Sequence, residues 1–303
     1  MENKYPFITW PSLDKSGKKI ALSGGNIFFY DCNPSSNQAL VFIHGLGDEA
    51  DTWRHVIPLL SARGYRCIAL DLPGFGRSEW HGKIDVTCHA SAVIKVMTEC
   101  GIGVPTAGGD ASKAVLIGSS MGGSIAEYAA FMRPDLAQSM ILIGGCIPVK
   151  RNMNPGMLLL GLPFIGRSWY KGFRKNHEGA WKSLYPYYHD LDAMSDEDKT
   201  FIRNRVIARV ESDNQERGYF SSLRSIIPAF MFGKAALSKK VKMYNGKIFL
   251  IWGEHDHVMP VETTAVMRKL RPDAPLKTVA GAGHLPHQEK PAECAEVILS
   301  FLE

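Results

Sequence analysis

Hydrophobic residues along the first half of the chain fall into short unbroken runs, at Ala39 to Ile43, Cys67 to Leu70, Ala114 to Ile117 and Ser139 to Ile143. Runs that do not alternate with polar residues predict strands buried on both faces. Between them the spacing lengthens. Trp53 to Arg63 sets Val56, Leu59 and Leu60 on one face with Pro58 near the first turn, and Val86 to Glu99 reads as a helix with Gly101 just past its end. The stretch after Gly122, carrying Ile125, Ala126, Ala129 and Ala130, is also helix-compatible. Lys19 to Leu22 and Asn26 to Tyr30 predict two short strands joined at Ser23-Gly24-Gly25, a hairpin at a sheet edge. Apolar strands alternating with helices imply a mostly parallel sheet covered on both faces.

The rhythm stops at Pro148. From there to about Lys240 no strand-like run occurs, and helix-compatible stretches lie between Gly- and Pro-rich breaks. Strands resume at Lys247 to Trp252 and near Leu276 to Val279, and a last helix spans about Pro291 to Leu302. The pattern predicts a core of residues 1–147 and 241–303 interrupted by a helical segment, 148–240. That segment holds 16 Lys/Arg and 9 Asp/Glu, a formal +7, whereas the whole chain of 303 residues carries +5. The charge asymmetry is therefore local, and no dense basic block with interleaved aromatics points to nucleic acid. No apolar run reaches the roughly 18 residues of a membrane span, and the N-terminus lacks a basic start followed by an apolar stretch, so a cytoplasmic protein is expected. The six cysteines, scattered without a C-x-x-C pair, read as free buried thiols.

Candidate chemistry centres on Gly118-Ser119-Ser120-Met121-Gly122, a G-x-S-x-G match with an apolar strand before it and a helix after it. Such a reversal requires small flanking residues and holds Ser120 exposed at the apex, next to the N–H groups of a helix start. Two further loops follow strands and offer partners: Trp252-Gly253-Glu254-His255-Asp256-His257, and Ala280-Gly281-Ala282-Gly283-His284. A serine hydroxyl needs a base, and the base needs an orienting carboxylate. Either Glu254 or Asp256 could supply that carboxylate on position alone.

With these loops included, the chain resembles the α/β-hydrolase family over nearly its whole length. The resemblance implies the α/β-hydrolase fold, a mostly parallel, doubly covered sheet with an inserted helical cap. By the family's order of Ser, acid and His, and its W-G-x-x-D spacing, it assigns Ser120 as nucleophile, Asp256 as acid and His284 as general base. It also assigns the backbone N–H groups of Leu46, in His44-Gly45-Leu46-Gly47, and Met121 to the oxyanion hole, with His44 bracing the loop. No cofactor is implied. His255-x-His257 and His284-x-x-His287 lack the supporting pattern of a metal site.

A serine rather than an aspartate at the elbow argues against haloalkane dehalogenases and epoxide hydrolases of similar architecture. The expected activity is hydrolysis of carboxylic esters of moderately apolar acids, acting on a small-molecule ester. C–C bond hydrolysis of ring-cleavage products and lactone hydrolysis are the alternatives on the same triad, and a ligand receptor on a hydrolase scaffold is the alternative outside enzymes. The run Met157 to Ile165 suggests an apolar substrate wall, with Met157, Leu158, Leu162 and Phe164 as lining candidates. Basic residues around it, Lys150, Arg151, Arg167, Lys171, Arg174 and Lys175, are compatible with an anionic substrate, peripheral contact with a lipid surface, or a solvated face.

Overall fold

Strand β3 (Ala39–Ile43) lies at the centre of one sheet, between β4 (Arg66–Leu70) and β6 (Ala114–Ser119), parallel to both. The coordinates are a computed structural model that describes residues 4–105, 111–147, 159–232 and 234–303. Among the described residues the sheet runs β1 (Gly17–Leu22), β2 (Gly25–Cys32), β4, β3, β6, β7 (Ala137–Ile143), β8 (Lys247–Gly253) and β9 (Leu276–Val279), with a ninth strand off this path. From β4 to β9 all pairings are parallel. The expected edge hairpin is β1 with β2, and a two-residue β5 (Glu79–Trp80), too short to register as a pattern, also pairs with β2.

Successive residues of each central strand enter opposite cores. Val41, Ile43, Leu116 and Leu250 pack with helices α2 (Val86–Glu99) and α3 (Met121–Met132), while Leu40, Phe42, Ile117 and Ile251 pack with Trp53, α1 (Val56–Ala62) and the C-terminal helix Pro291–Leu302. Because apolar burial stabilises by about 25 cal/mol per Å², coverage on both faces explains why these strands carry no polar alternation. The helix expected from Trp53 begins later than its pattern suggests. Residues Ala50–Trp53 form a 3-10 turn instead, with Asp51 accepting hydrogen bonds from the Trp10 N–H and the Tyr30 hydroxyl.

Between the neighbouring strands β7 and β8 the described residues are helical: α4 (Pro163–Lys175), α5 (His177–Lys182), α6 (Asp196–Glu211), α7 (Asp213–Phe232) and α8 (Lys234–Met243). Helix α6 starts at Ser195, whose side chain accepts from the Asp198 N–H, an N-cap with an acidic first turn. The last of these helices continues past Lys240, where the helical segment was expected to end. The expected start at Pro148 lies outside the described residues. Two short helices complete the chain, α9 (Ala265–Leu270) and α10 (Pro286–Glu289), before α11 (Pro291–Leu302).

Candidate active site

Ser120 owes its position to residues without side chains. A Cβ on Gly118 would lie 2.2 Å from the Gly122 carbonyl oxygen, and one on Gly122 would lie 2.1 Å from that of Ile43. Only glycine at both places lets β6 turn this sharply into α3. The serine at the apex is left with φ 53° and ψ −118°, a strained conformation that costs on the order of 1–3 kcal/mol. Its backbone N–H is anchored to the Ile143 carbonyl at 2.8 Å. Its side chain does not cap α3, so the hydroxyl remains for the cavity that it lines.

His284 lines the same cavity. Its Nδ1 lies 2.8 Å from Asp256 Oδ2, both side chains are buried, and its Nε2 has no hydrogen-bond partner among the described residues. An Nδ1–H donated to a carboxylate fixes the tautomer in which Nε2 can accept a proton. Asp256 is itself held by the Val258 and Met259 N–H groups, which donate to Oδ1 at 2.9 and 2.7 Å. The rival Glu254 points elsewhere. Its side chain is 54% exposed and accepts from the Gly281 N–H at 3.0 Å, so it braces the histidine loop from outside.

Across the cavity, Gly45 approaches so closely that a Cβ there would sit 3.2 Å from the Ser120 Cβ. This brings the turn containing Leu46 against the candidate nucleophile, beside the first residue of α3, Met121, whose N–H belongs to the set that a helix start leaves unpaired. His44 is buried and neutral: burial holds its pKa below the usual value, Nδ1–H donates to the Gly45 carbonyl at 2.7 Å, and Nε2 accepts from the Leu72 N–H at 2.9 Å. Both nitrogens are used in holding the loop. Three further imidazoles are held by packing. His255 stacks on His189, and His287 stacks on Trp53 while contacting Thr52 Oγ1 at 2.9 Å.

The cavity holds about 170 Å³. Its apolar wall comes from the helical insertion, with Trp169, Tyr170, Phe173, Leu184, Phe201 and Tyr219 the large contributors. Leu162 and Phe164, expected in that wall, are not in it. They are 47% and 88% exposed on the outer side of α4 and its approach, whereas the helix turns Tyr170 inward. Hydrophobic content alone presents the run as one surface, but a helix divides its residues between faces. Met157 and Leu158, like Lys150 and Arg151, lie outside the described residues.

The opposite wall is charged, a feature that sequence reading missed. Asp48, Glu49 and Asp51 from the loop after β3 meet Arg205 and Arg209 of α6, and Arg54 beside them pairs with Asp198. Burial would raise the pKa of Glu49, but the Arg205 and Arg209 charges outweigh it and hold the carboxyl well below the usual range. One signal was available: Arg205 and Arg209 are four residues apart, on a helix face shared with the buried Val206 and Val210. Charged residues at core spacing require partners.

A family model described as the alpha/beta hydrolase family matches residues 40–297. The chain belongs to that family. Among curated relatives, the hydrolase is 28% identical over 289 residues to an uncharacterized hydrolase of Bacillus subtilis (strain 168), covering 94% of this chain and 97% of the relative. It is 24% identical over 286 residues to a 2-hydroxy-6-oxononadienedioate/2-hydroxy-6-oxononatrienedioate hydrolase of Burkholderia vietnamiensis (strain G4 / LMG 22486), covering 90% of each. Among solved structures, a serine hydrolase from the polyaromatic hydrocarbon-degrading bacterium Cycloclasticus zankles superposes with a TM-score of 0.77 at 19% identity, covering 94% of this chain and 97% of that one. At that identity the likeness concerns the fold of the hydrolase alone. No helix among its described residues is long and apolar enough to cross a membrane.

Proposed function

We propose that this hydrolase cleaves carboxylic esters of moderately apolar, uncharged acids through an acyl-enzyme. The observation that carries the reading is the convergence on one cavity of Ser120, at its strained apex, and His284, oriented by Asp256. His284 Nε2 takes the hydroxyl proton as Ser120 Oγ adds to the ester carbonyl. The tetrahedral oxyanion then forms between the Leu46 and Met121 N–H groups, donors of a kind worth on the order of 3 kcal/mol each. His284 returns the proton to the leaving alcohol, and water, activated by the same nitrogen, hydrolyses the acyl-enzyme. Residues 148–240 act as a cap over the core of 1–147 and 241–303, and supply the acyl pocket.

A second reading is C–C bond hydrolysis, because the Burkholderia relative is named for dienedioate and trienedioate substrates. Such substrates are anionic. In this cavity the guanidinium groups already have carboxylate partners: Arg54 with Asp198, Arg205 with Glu49, and Arg209 with both Asp48 and Glu49. That charge balance supports an uncharged acyl group over a carboxylate-bearing one. Steady-state kinetics on p-nitrophenyl butyrate and on a 2-hydroxy-6-oxo-dienedioate decides between them. Many turnovers of the ester and none of the dienedioate are expected. The opposite preference would establish the C–C reading, and a single slow turnover of either would indicate a receptor.

A further inference from the structure

The helical insertion grips the loops around the candidate nucleophile and base, and it does so through polar groups. On the Leu46 side, Arg209 of α6 donates from Nη2 to Asp48 Oδ1 and Glu49 Oε1, each at 2.5 Å, and from Nε to Glu49 Oε2 at 2.6 Å. Asp48 closes the turn that contains Leu46, its N–H donating to the Gly45 carbonyl at 3.3 Å. Gln215 of α7 donates to the Gly47 carbonyl at 3.2 Å and accepts from the Gly76 N–H at 2.8 Å. Gly47, at φ +79°, rests against the Tyr219 ring. On the His284 side, the His284 N–H donates to the Tyr187 carbonyl at 2.9 Å. Glu289 joins the two segments, accepting from the Gly283 N–H on Oε1 and the His189 N–H on Oε2, both at 2.7 Å.

Apolar packing would dock a helical segment with less desolvation. Buried ion pairs add little net stability, and what they supply is directional placement. Here that placement falls on the turn that presents Leu46 and on the loop that presents His284. We propose that the insertion is the positioning element for both loops, with Arg209 the positioning residue for the Leu46 turn and Glu289 for the His284 loop. The assignment rests on the serine-hydrolase reading above, because only in that reading do the Leu46 N–H and His284 Nε2 act on the substrate. The fork of Arg209 spans two carboxylates, which a lysine ammonium cannot do in the same geometry, so Arg209→Lys keeps the charge and releases the turn.

The test compares wild type, Arg209→Lys and Glu289→Gln in the full chain. Losing one oxyanion donor outright lowers kcat by roughly 100- to 1000-fold, so a misplaced one in Arg209→Lys should lower kcat by about 10- to 100-fold, with KM within about twofold. Affinity for an alkyl trifluoromethyl ketone, which forms an oxyanion on binding, should fall by the same factor, while affinity for the matching methyl ketone stays constant. Amide exchange at Leu46 to Asp48 should quicken about tenfold with β3 unchanged, and Glu289→Gln should show the same local effect at Gly283 and His284. Unchanged kcat and trifluoromethyl ketone affinity in a folded Arg209→Lys, or faster exchange throughout the molecule, would overturn the proposal. Should Arg209→Lys fail to fold, Gln215→Leu, which frees the same turn without stranding a charge, decides by the same measurements. Fluorophosphonate labelling of wild type separates the two ideas. An unlabelled Ser120 removes the serine-hydrolase reading, whereas a labelled wild type with an indifferent Arg209→Lys removes only the positioning role.

Discussion

Ser120 is the residue on which the chemistry turns, and its cost is visible in the backbone. A left-handed φ at a residue with a side chain persists only where the surroundings over-determine it, here through Gly118, Gly122 and the hydrogen bond to Ile143. A fluorophosphonate should label Ser120 and not Ser119, whose hydroxyl is buried; mass spectrometry of the modified peptide gives the answer, and labelling at Ser119 would reassign the nucleophile. The acid can be tested by a pair of variants. Asp256→Asn should lower kcat roughly 10⁴-fold by inverting the hydrogen bond that sets the His284 tautomer. Glu254→Gln, which keeps an oxygen for the Gly281 N–H, should change kcat by less than about threefold. The reverse ranking would move the role to Glu254. Sequence position alone could not separate these carboxylates, because they are two residues apart in one loop. What separates them is burial and the pair of backbone N–H groups that Asp256 receives.

At the scale of the element, α4 shows how a helix distributes an apolar run. Leu162, Phe164 and Ile165 face outward, Tyr170 is buried against the cavity, and Trp169, 47% exposed, borders both. The acyl-chain preference should therefore follow the inner residues. Each methylene reaching the wall should add up to about 0.8 kcal/mol, or nearly fourfold in kcat/KM, until the cavity is full. From acetate to dodecanoate, p-nitrophenyl esters should give a rising and then falling series. Phe173→Ala should flatten the rise, while Leu162→Gln should leave the series unchanged. Equal effects from both variants would show that the wall extends to the outer face of the helix. Hydrophobic spacing indicated a helix-rich segment here. It could not reveal which face would meet the core, since that depends on how α4 packs against α6 and α7.

For the whole molecule, buried ionisable groups set the response to pH. Glu127, in α3, is buried with Oε2 accepting the Ile147 N–H at 2.8 Å, and burial raises its pKa well above the usual carboxyl value. The folded state therefore keeps a proton that the unfolded chain releases above about pH 4.5, so this contribution to stability falls as pH rises. His89 and His287 are pushed down to about 3 by burial. Here the unfolded chain takes up the extra protons, so stability falls as pH drops below about 6.5. Glu49 and Asp71, held low by their arginine partners, lose their contribution further into acid, as pH falls below the usual carboxylate values. From about pH 7.5 to 8.5 His89 and His287 are neutral in the folded state and largely neutral in the unfolded chain, so the difference between wild type and Glu127→Gln isolates Glu127. Across that window wild-type stability in urea should decline relative to that of Glu127→Gln by up to about 1.4 kcal/mol per pH unit. Parallel slopes would mean that Glu127 is ionised in the folded protein.

Much of the architecture was determined locally. Unbroken apolar runs gave the parallel strands of the central sheet, because a strand covered on both faces has no polar side, and the glycine-flanked Ser120 needed only its own turn to be recognised. The tertiary structure decided the rest: the contact by which Asp256, the carboxylate that the family spacing implies, reaches His284, which residues of an apolar run face the cavity, and that Arg205 and Arg209 pair with Asp48, Glu49 and Asp51 across more than 150 residues of chain. These outcomes depend on contacts between segments remote in sequence. Local spacing can require that a buried arginine find a carboxylate, but the fold determines which one it meets.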